Sequence, residues 1–288
     1  MSVLVREPFA FVDALERARA RGDRVGLVLT MGALHEGHIA LVHEARARGA
    51  GYVALSIFVN PLQFGPTEDF ARYPRTLGED LARCREARVD LVFAPEREVL
   101  VPDGMQAFVE VPAIAAPLEG RFRPGHFRGV ATIVTKLFAL GGPCVAPFGR
   151  KDYQQWRLVE RLARDLFPHV EVVGVRTVRE DDGLAMSSRN RYLDATQRER
   201  ARGIVLGLRA AHAAFAAGER RVERLERCAR EPVEGRFDAI DYVAVVDPES
   251  LQPLEGGLVR GRALLAVAAR LGTTRLIDNT VLGEEPPP

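Results

Sequence analysis

The stretch TMGALHEGHIALVHEA, residues 30–45, decides the fold of this chain. It continues the apolar run RVGLVLT (24–30), which predicts a buried strand, and it leads into a helix that begins near Gly37 and ends at Gly49. A strand, a glycine-containing turn and a helix in this order are typical of one unit of a parallel α/β sheet. Helix N-termini present unpaired N–H groups and the positive end of the helix dipole, so the turn is predicted to bind phosphate.

Two histidines make this turn more specific. His35 and His38 flank Gly37, where the small residue lets the backbone come close to a ligand. Imidazoles at a helix start can donate hydrogen bonds to phosphate oxygens. One histidine alone would most often be a solvated helix-start residue, but His-x-Gly-His at a strand-to-helix turn favours the phosphate site. His43, later in the same helix, is expected at the surface.

The same alternation continues through the first half of the chain. Short β-branched apolar runs predict strands, and amphipathic stretches between them predict helices. The predicted strands are 24–30, 52–60, 90–95, 143–149 and 170–178, and the predicted helices are 37–49, 77–89, 126–140 and 151–167. This order indicates a doubly wound, Rossmann-like parallel sheet, whose ligands bind beyond the carboxyl ends of the strands.

The pattern changes after about residue 177. A polar segment (179–191) is followed by predicted helices at about 195–217 and 220–231 and strands near 241–247, 263–269 and 275–282. We predict a Rossmann-like ligand-binding domain at 1–177 and a smaller C-terminal α+β lid domain at 178–288, with a hinge near Thr177 and Val178.

Composition argues against several classes of protein. The 40 basic and 39 acidic residues among 288 give a net charge of +1, whereas a dedicated nucleic-acid binder usually has a clear basic excess. Three separated cysteines without a CxxC or Cys/His cluster argue against a disulfide framework or a zinc site and fit a reducing cytoplasm. The N-terminal residues lack a signal-peptide pattern, and the absence of a long apolar run predicts no membrane span.

Lysine is rare in this chain, which uses arginine for nearly all of its positive charge. Only Lys136 and Lys151 are lysines. Lys151 follows Gly149 at a second predicted strand-to-helix turn, where a cation opposes the helix dipole. A lysine in that place indicates an anionic ligand, and an ordinary surface helix start is the alternative.

Three further segments carry polar residues with a chemical use. Asn60 and Gln63 follow a buried strand, and their amides suit the hydroxyls or carboxylate of a small molecule, although loop capping is the alternative. The charged turn at 117–128 offers a basic rim for an anion, although alone it reads as a solvated turn. The hydroxyls and guanidinium of the Ser-Ser-Arg loop at 187–189 can bind phosphates, although by itself this segment is typical of an ordinary loop.

Together these motifs resemble one family. Two helix-start phosphate sites on one sheet and a later Ser-Ser-Arg loop resemble the nucleotidyltransferase superfamily. The motifs MGALHEGH, FVNPLQF, YPRT, LEGRFRPGHFRGV, FGRKDYQQ and MSSRN, in this order, resemble the pantothenate synthetase family from about residue 24 to 193, and more weakly beyond. The resemblance implies an AMP-forming carbon–nitrogen ligase that condenses pantoate and β-alanine to pantothenate through a pantoyl adenylate. It also implies that the domain at 1–177 binds ATP and pantoate, that Mg²⁺ accompanies the ATP, and that the protein is a homodimer, and it leaves the protein ligands of the metal unknown.

The resemblance implies roles at matching positions. Catalysis would rest on His35, His38, Lys151, Ser187, Ser188 and Arg189. ATP would contact Met31, His38, Gly149, Lys151, Asp152, Val178, Met186, Ser187, Ser188 and Arg189. Pantoate would contact Asn60, Gln63 and Gln155, while Tyr73, Glu119, Arg123 and His126 would shape the pocket or the dimer-side wall. Two positions depart from the family pattern, because Arg150 stands where an acidic residue is usual and Trp156 where an aliphatic one is usual.

Three other functions remain open at this point. A cofactor nucleotidyltransferase shares the His-x-Gly-His turn but would keep the nucleotide on its product, and the Asn-Pro-x-Gln-Phe and Lys-Asp-Tyr-Gln-Gln motifs argue against it. A tRNA-charging enzyme is disfavoured by the near-zero net charge. A nucleotide-binding regulator would bind ATP but would have no organised acid pocket and would release no pyrophosphate.

Overall fold

The computed structural model describes residues 2–66 and 68–288 and divides them into two compact units. The sheet unit holds the chain through Ala115 together with 123–150 and 155–176. The C-terminal unit holds 177–288 together with two short earlier segments, 116–122 and 151–154. Lys151 and Glu119 thus belong to the C-terminal unit. The predicted division at residue 177 into an ATP-binding domain and a lid stays a prediction.

A six-stranded parallel sheet forms the centre of the sheet unit, as the alternating pattern predicted. Its strands are β1 (Val3–Val5), β2 (Val25–Thr30), β3 (Tyr52–Ile57), β4 (Leu91–Phe93), β5 (Cys144–Gly149) and β6 (Val170–Val175). Their order is β1-β4-β3-β2-β5-β6. From β2 the chain adds strands to one side and from β5 to the other, so the topological switch point lies between these two strands. Ligands of such sheets bind at this point, beyond the carboxyl ends.

Helices cover both faces of this sheet. The sheet unit holds α1 (Pro8–Ala20), α2 (Glu36–Ala47), α3 (Leu77–Glu86), α4 (Arg97–Leu100), α5 (Pro112–Ala115), α7 (His126–Gly141) and most of α8 (Tyr153–Leu166). The C-terminal unit holds α6 (Glu119–Phe122), α9 (Ala195–Ala201), α10 (Gly203–Ala216) and α11 (Val222–Arg230). Side chains of a strand alternate between faces, and Leu27 and Val28 accordingly enter two different hydrophobic clusters. One cluster includes α1, α7 and α8, and the other includes α2 and α3. Both faces of β2 are therefore buried, which explains its continuous apolar run.

The C-terminal unit is a smaller α+β structure. Its strands β7 (Ala239–Val246), β8 (Ala263–Leu271) and β9 (Thr274–Leu282) form an antiparallel sheet in that order. Residues of α10 and α11 share a hydrophobic cluster with this sheet. The fold class predicted from the sequence is thus confirmed. Among the described residues, no helix has both the length and the apolar character needed to cross a membrane.

Several element bounds differ from the sequence-based predictions. The strands predicted at 52–60 and 170–178 end at Ile57 and Val175, and two helices also differ. The helix predicted at 195–217 is two helices, because α9 ends at Ala201 and α10 begins at Gly203. A Cβ at Gly203 would lie 2.8 Å from the carbonyl oxygen of Pro232, so the glycine at the start of α10 permits a close backbone approach. The helix predicted to begin at Lys151 instead starts at Tyr153, after a 3₁₀ turn over Arg150–Asp152.

Candidate active site

The turn after β2 holds its two histidines in a defined geometry. His35 is the N-cap of α2, and its Nδ1 accepts a hydrogen bond from the Gly37 amide at 3.1 Å. The Nδ1 of His38 accepts from the His35 amide at 3.2 Å, and the two ring centroids lie 4.0 Å apart. A ring nitrogen that accepts carries no proton, so each ring carries its N–H at Nε2. The turn therefore presents two imidazole donors at a helix N-terminus.

A buried aspartate that the sequence did not reveal supports this turn. Asp80 of α3 is 1% exposed, and its carboxylate accepts from the amides of Ala33 at 3.1 Å and Leu34 at 2.7 Å. The hydroxyl of Thr76 donates to the same carboxylate at 3.3 Å. Ala33 has a positive φ of 50°, a conformation that needs such support. In the sequence, Asp80 could be recognised only as an acidic residue in the first turn of a predicted helix.

The two amides predicted to hold the acid lie together at the carboxyl end of β3. Asn60 is 2% exposed, and its Nδ2 donates to Gln63 Oε1 at 2.9 Å and to the carbonyl of Gly129 at 3.1 Å. Gln63 Nε2 lies 3.2 Å from the Met31 sulfur, in the turn after β2. Asn60 also accepts from the Leu62 amide at 3.0 Å, so loop capping and organisation of an amide pair occur together.

Helix α7 packs unusually closely on this amide pair. A Cβ at Gly129 would lie 2.2 Å from the carbonyl oxygen of Leu62 and 2.7 Å from the amide nitrogen of Gln63. Real Cβ contacts are never this short, so only glycine fits at this position. The sequence placed Gly129 inside a motif but gave it no role.

Arg123 and His126 fix the loop that carries Gln63. His126 Nδ1 donates to the Gln63 carbonyl at 2.8 Å, and Arg123 binds both carboxylate oxygens of Glu68, at 2.7 and 2.8 Å. Burial opposes ionisation of Glu68, but Arg123 outweighs it and lowers the pKa of that carboxyl. Arg123 is thus paired with Glu68, and its place in a basic rim for an anion stays a prediction. Tyr73, 5% exposed, packs edge-on against Phe64 in the same loop.

The two departures from the family pattern contact each other. At the end of β5, after Gly149, the Arg150 guanidinium lies 5.1 Å from the Trp156 ring centroid, and Arg157 lies 5.4 Å from it. The indole also packs on Gly174 of β6, where a Cβ would lie 2.6 Å from Trp156 Cε2. Cation–π contact therefore holds the extra charge of Arg150 against Trp156. Gln155 is half-buried on the first turn of α8.

In the C-terminal unit, Lys151 and the Ser-Ser-Arg loop each have local support. The Lys151 side chain is 18% exposed and its Nζ lies 3.5 Å from Asp152 Oδ1. Ser187 caps a 3₁₀ turn over Ser188–Tyr192 by accepting from the Arg189 amide at 3.3 Å. Just before it, the Met186 amide donates to the Val178 carbonyl at 2.9 Å. These residues are ordered by their own turn and by the strand pairing that precedes it.

Glu119 lies in a buried charged network within the same unit. Arg275 binds both of its carboxylate oxygens, at 2.6 and 2.7 Å, and the Tyr242 hydroxyl donates to it at 2.7 Å. Burial, and then the Glu119 charge, raise the pKa of Tyr242 well above its usual value. Arg275 also binds Asp241 at 2.6 Å. Arg275 could not be recognised from the sequence, because its partner lies 156 residues away.

The structure thus groups the predicted residues into local clusters within each unit. In the sheet unit it brings together the two histidines, the Met31–Gln63–Asn60 set and the Arg123–His126 pair. In the C-terminal unit it brings Lys151 beside Asp152, and Ser187 beside Arg189. Among residues 2–66 and 68–288, no group of three His, Cys, Asp or Glu side chains is placed to hold a metal ion.

The fold and these clusters define a doubly wound α/β protein with polar turns at both strands of its switch point. The chain belongs to the pantoate–β-alanine ligase family, whose model, described as "Pantoate-beta-alanine ligase", matches residues 4–281.

Relatives cover nearly the whole chain. A pantothenate synthetase of Myxococcus xanthus is 51% identical over 268 residues, which are 93% of this chain and 91% of that protein. The crystal structure of a pantothenate synthetase from Thermus thermophilus is similar with a TM-score of 0.90 and 46% identity, covering 97% of this chain and 99% of that one. A pantoate–β-alanine ligase from Francisella tularensis, "complexed with Beta-gamma ATP and Beta-alanine", matches with a TM-score of 0.78 and 32% identity over 100% of both chains.

Proposed function

We propose that this protein condenses pantoate with β-alanine, using ATP and releasing AMP and pyrophosphate. The observation that carries the proposal is the pair of imidazole N–H donors at the N-terminus of α2, next to the topological switch point of the sheet. Family membership along residues 4–281 supports the choice of acid and amine. The paired amides of Asn60 and Gln63 support an organised acid pocket, which a nucleotide-binding regulator would not need.

The first half-reaction would activate the acid. The pantoate carboxylate attacks the α-phosphate of ATP, forming pantoyl adenylate and releasing pyrophosphate. Negative charge moves onto the departing phosphates in this step. His35 and His38 would donate from Nε2 to phosphate oxygens, and Lys151 would supply a full positive charge. Fixed donors of this kind stabilise a transition state because they are oriented before the charge develops.

The acid would be oriented by the neutral amides. Asn60 and Gln63 are hydrogen-bonded to each other, and Gly129 and His126 fix the main chain around them. Gln155, half-buried on α8, would be the third amide of this set. Neutral donors hold hydroxyls and a carboxylate without trapping the acid as an ion pair, so its oxygen stays available to attack phosphorus.

The second half-reaction would form the amide. The β-alanine amine attacks the acyl carbon of the adenylate, loses a proton, and AMP leaves. No side chain becomes covalently attached in either step. We propose that Ser187, Ser188 and Arg189 bind the nucleotide, with Met31, Gly149, Asp152, Val178 and Met186 completing its site. A lid role for residues 178–288 would shield the adenylate from water.

Mg²⁺ fits this site as a companion of the triphosphate. Mg²⁺ is usually held by substrate phosphates, water and only one or two carboxylates. The described residues hold no group of three His, Cys, Asp or Glu side chains placed for a metal ion, and the protein ligands of Mg²⁺ stay unassigned. When bound, the ion would neutralise charge on the β- and γ-phosphates.

The cytoplasmic location is supported by three free cysteines, and the homodimer by the resemblance alone.

The experiment is pyrophosphate exchange with Mg·ATP and pantoate, followed by addition of β-alanine. We expect exchange that depends on pantoate, and AMP and pantothenate only after β-alanine is added. A stable nucleotide-containing product that needs no amine would instead support a cofactor nucleotidyltransferase. ATP binding without pantoate-dependent exchange would contradict the proposal. The protein would then be a nucleotide-binding regulator or an enzyme that activates another acid.

A further inference from the structure

Strand β9 of the C-terminal unit carries buried polar residues on both of its faces. Asp278, Asn279 and Thr280 are 5%, 6% and 1% exposed. Because successive side chains of a strand point to opposite faces, Asn279 shares a face with Arg275, and Asp278 shares the other with Thr280. Buried polar groups are costly unless they are hydrogen-bonded, so their partners indicate why they are there.

The Asn279 face holds the segment that contains Lys151. Asn279 Nδ2 donates to the backbone carbonyl of Lys151 at 2.7 Å. On the same face Arg275 binds the carboxylate of Glu119. The backbone amide of Glu119 donates to Gln154 Oε1 at 3.0 Å. The short segment 151–154 is therefore tied to β9 directly through Asn279 and indirectly through the Glu119 network.

The Asp278 face holds the start of the Ser-Ser-Arg loop. Asp278 binds Arg179 through both carboxylate oxygens, at 2.6 and 3.2 Å, and Arg179 also donates to the Gly183 carbonyl at 3.0 Å. Arg179 pairs with Ala185 in an antiparallel bridge. The chain that leaves this bridge reaches Ser187 two residues later.

We propose that β9 positions both ATP-binding segments of the C-terminal unit, one from each face, with Asn279 acting on Lys151 and Asp278 acting on the loop at 187–189. This inference rests on the proposed function. Neither side chain would touch the substrates. A lysine reaches its target through four flexible methylenes, so its backbone must be fixed for the ammonium to arrive reproducibly. Displacement of a catalytic group by about 1 Å can cost about 10²-fold in rate.

The first test replaces Asn279 with its isostere. Asn279→Asp keeps the shape but turns the donor into an oxygen that repels the Lys151 carbonyl. We expect kcat for pantoate-dependent pyrophosphate exchange to fall by about tenfold or more, with the KM for pantoate unchanged. Thr280→Val is the matched control, because Thr280 is equally buried on the same strand but binds His212 at 2.8 Å. Asn279→Ser replaces the first variant if that one does not fold.

The decisive readout is coupling with Lys151. If Asn279 acts through Lys151, then adding Asn279→Asp to Lys151→Ala costs less than about twofold, whereas independent effects would multiply. For the other face, the double variant Asp278→Asn with Arg179→Gln removes both charges of the ion pair. When it is added to Arg189→Ala, the kcat for pyrophosphate exchange should likewise fall little further. Multiplicative effects in the Asn279 cycle would overturn the positioning role.

A structural readout separates this inference from the proposed function. Only two lysines exist, so mass spectrometry can follow acetylation of Lys151 relative to Lys136, which donates to the Leu100 carbonyl in the sheet unit. Asn279→Asp should raise this ratio, and Thr280→Val should leave it unchanged. An unchanged ratio in Asn279→Asp overturns the inference whatever the exchange activity. A raised ratio in a protein without pantoate-dependent exchange would leave the positioning of Lys151 standing and remove the proposed function.

Discussion

Gly129→Ala tests whether the close packing of α7 organises the acid pocket. The new Cβ would lie 2.2 Å from the Leu62 carbonyl oxygen and 2.7 Å from the Gln63 amide nitrogen. Both are backbone atoms, so the clash cannot be relieved by a rotamer change, and the 61–63 turn must move by about 1 Å to restore an ordinary contact. That turn carries Gln63 and adjoins Asn60, whose Nδ2 bonds to the Gly129 carbonyl.

Two magnitudes follow from this displacement. Overpacking should lower the free energy of unfolding by about 1–3 kcal/mol, measured by urea titration. Misplacement of the amides by about 1 Å should lower kcat/KM for pantoate by about 10²-fold in pyrophosphate exchange.

The matched control is Gly78→Ala in α3. A Cβ there would meet nothing within 4 Å, and Gly78 is exposed in the first turn of α3, so the free energy of unfolding should change by no more than about 0.5 kcal/mol. A Gly129→Ala protein as stable and as active as the Gly78→Ala protein would refute the reasoning.

Four other predictions can be tested alongside it. Lys151→Ala should lower the rate of pyrophosphate exchange by about 10²–10³-fold. A near-normal rate would show that Lys151 is only a surface residue. Gln63→Ala should raise the KM for pantoate more than the KM for ATP, and an unchanged pantoate KM would remove Gln63 from the acid site. Gly174→Ala should lower the free energy of unfolding by about 1–3 kcal/mol, and Trp156→Leu should restore it; failure of this rescue in urea titrations would contradict the packing argument. Burial lowers the pKa of His212 below its usual 6.5, so the unfolded chain binds more protons and the free energy of unfolding should fall as pH drops through 6.5. His212→Gln should flatten that dependence between pH 5 and 8, and equal slopes would contradict it.

The sequence determined the features that depend on neighbouring residues. Hydrophobic runs with a period of two or 3.6 residues fixed the parallel sheet, because burial selects those periods locally. The His-x-Gly-His turn could be recognised because its residues are consecutive in the sequence. The structure places His35 at the N-cap of α2. The segments β1 and α1 were not predicted, since β1 is three residues long and charged residues interrupt the apolar pattern in the second half of α1.

Only the tertiary structure decided the contacts that join distant segments. Asp80 supports a turn 46 residues earlier, and Arg275 binds a glutamate 156 residues away. The backbone of Lys151 is held by Asn279 of β9, 128 residues further along the chain, within the C-terminal unit. The physical reason is that a hydrogen bond or an ion pair depends on the distance in space between two groups. Sequence patterns record burial along one element, but they carry no record of which elements the folded chain brings together.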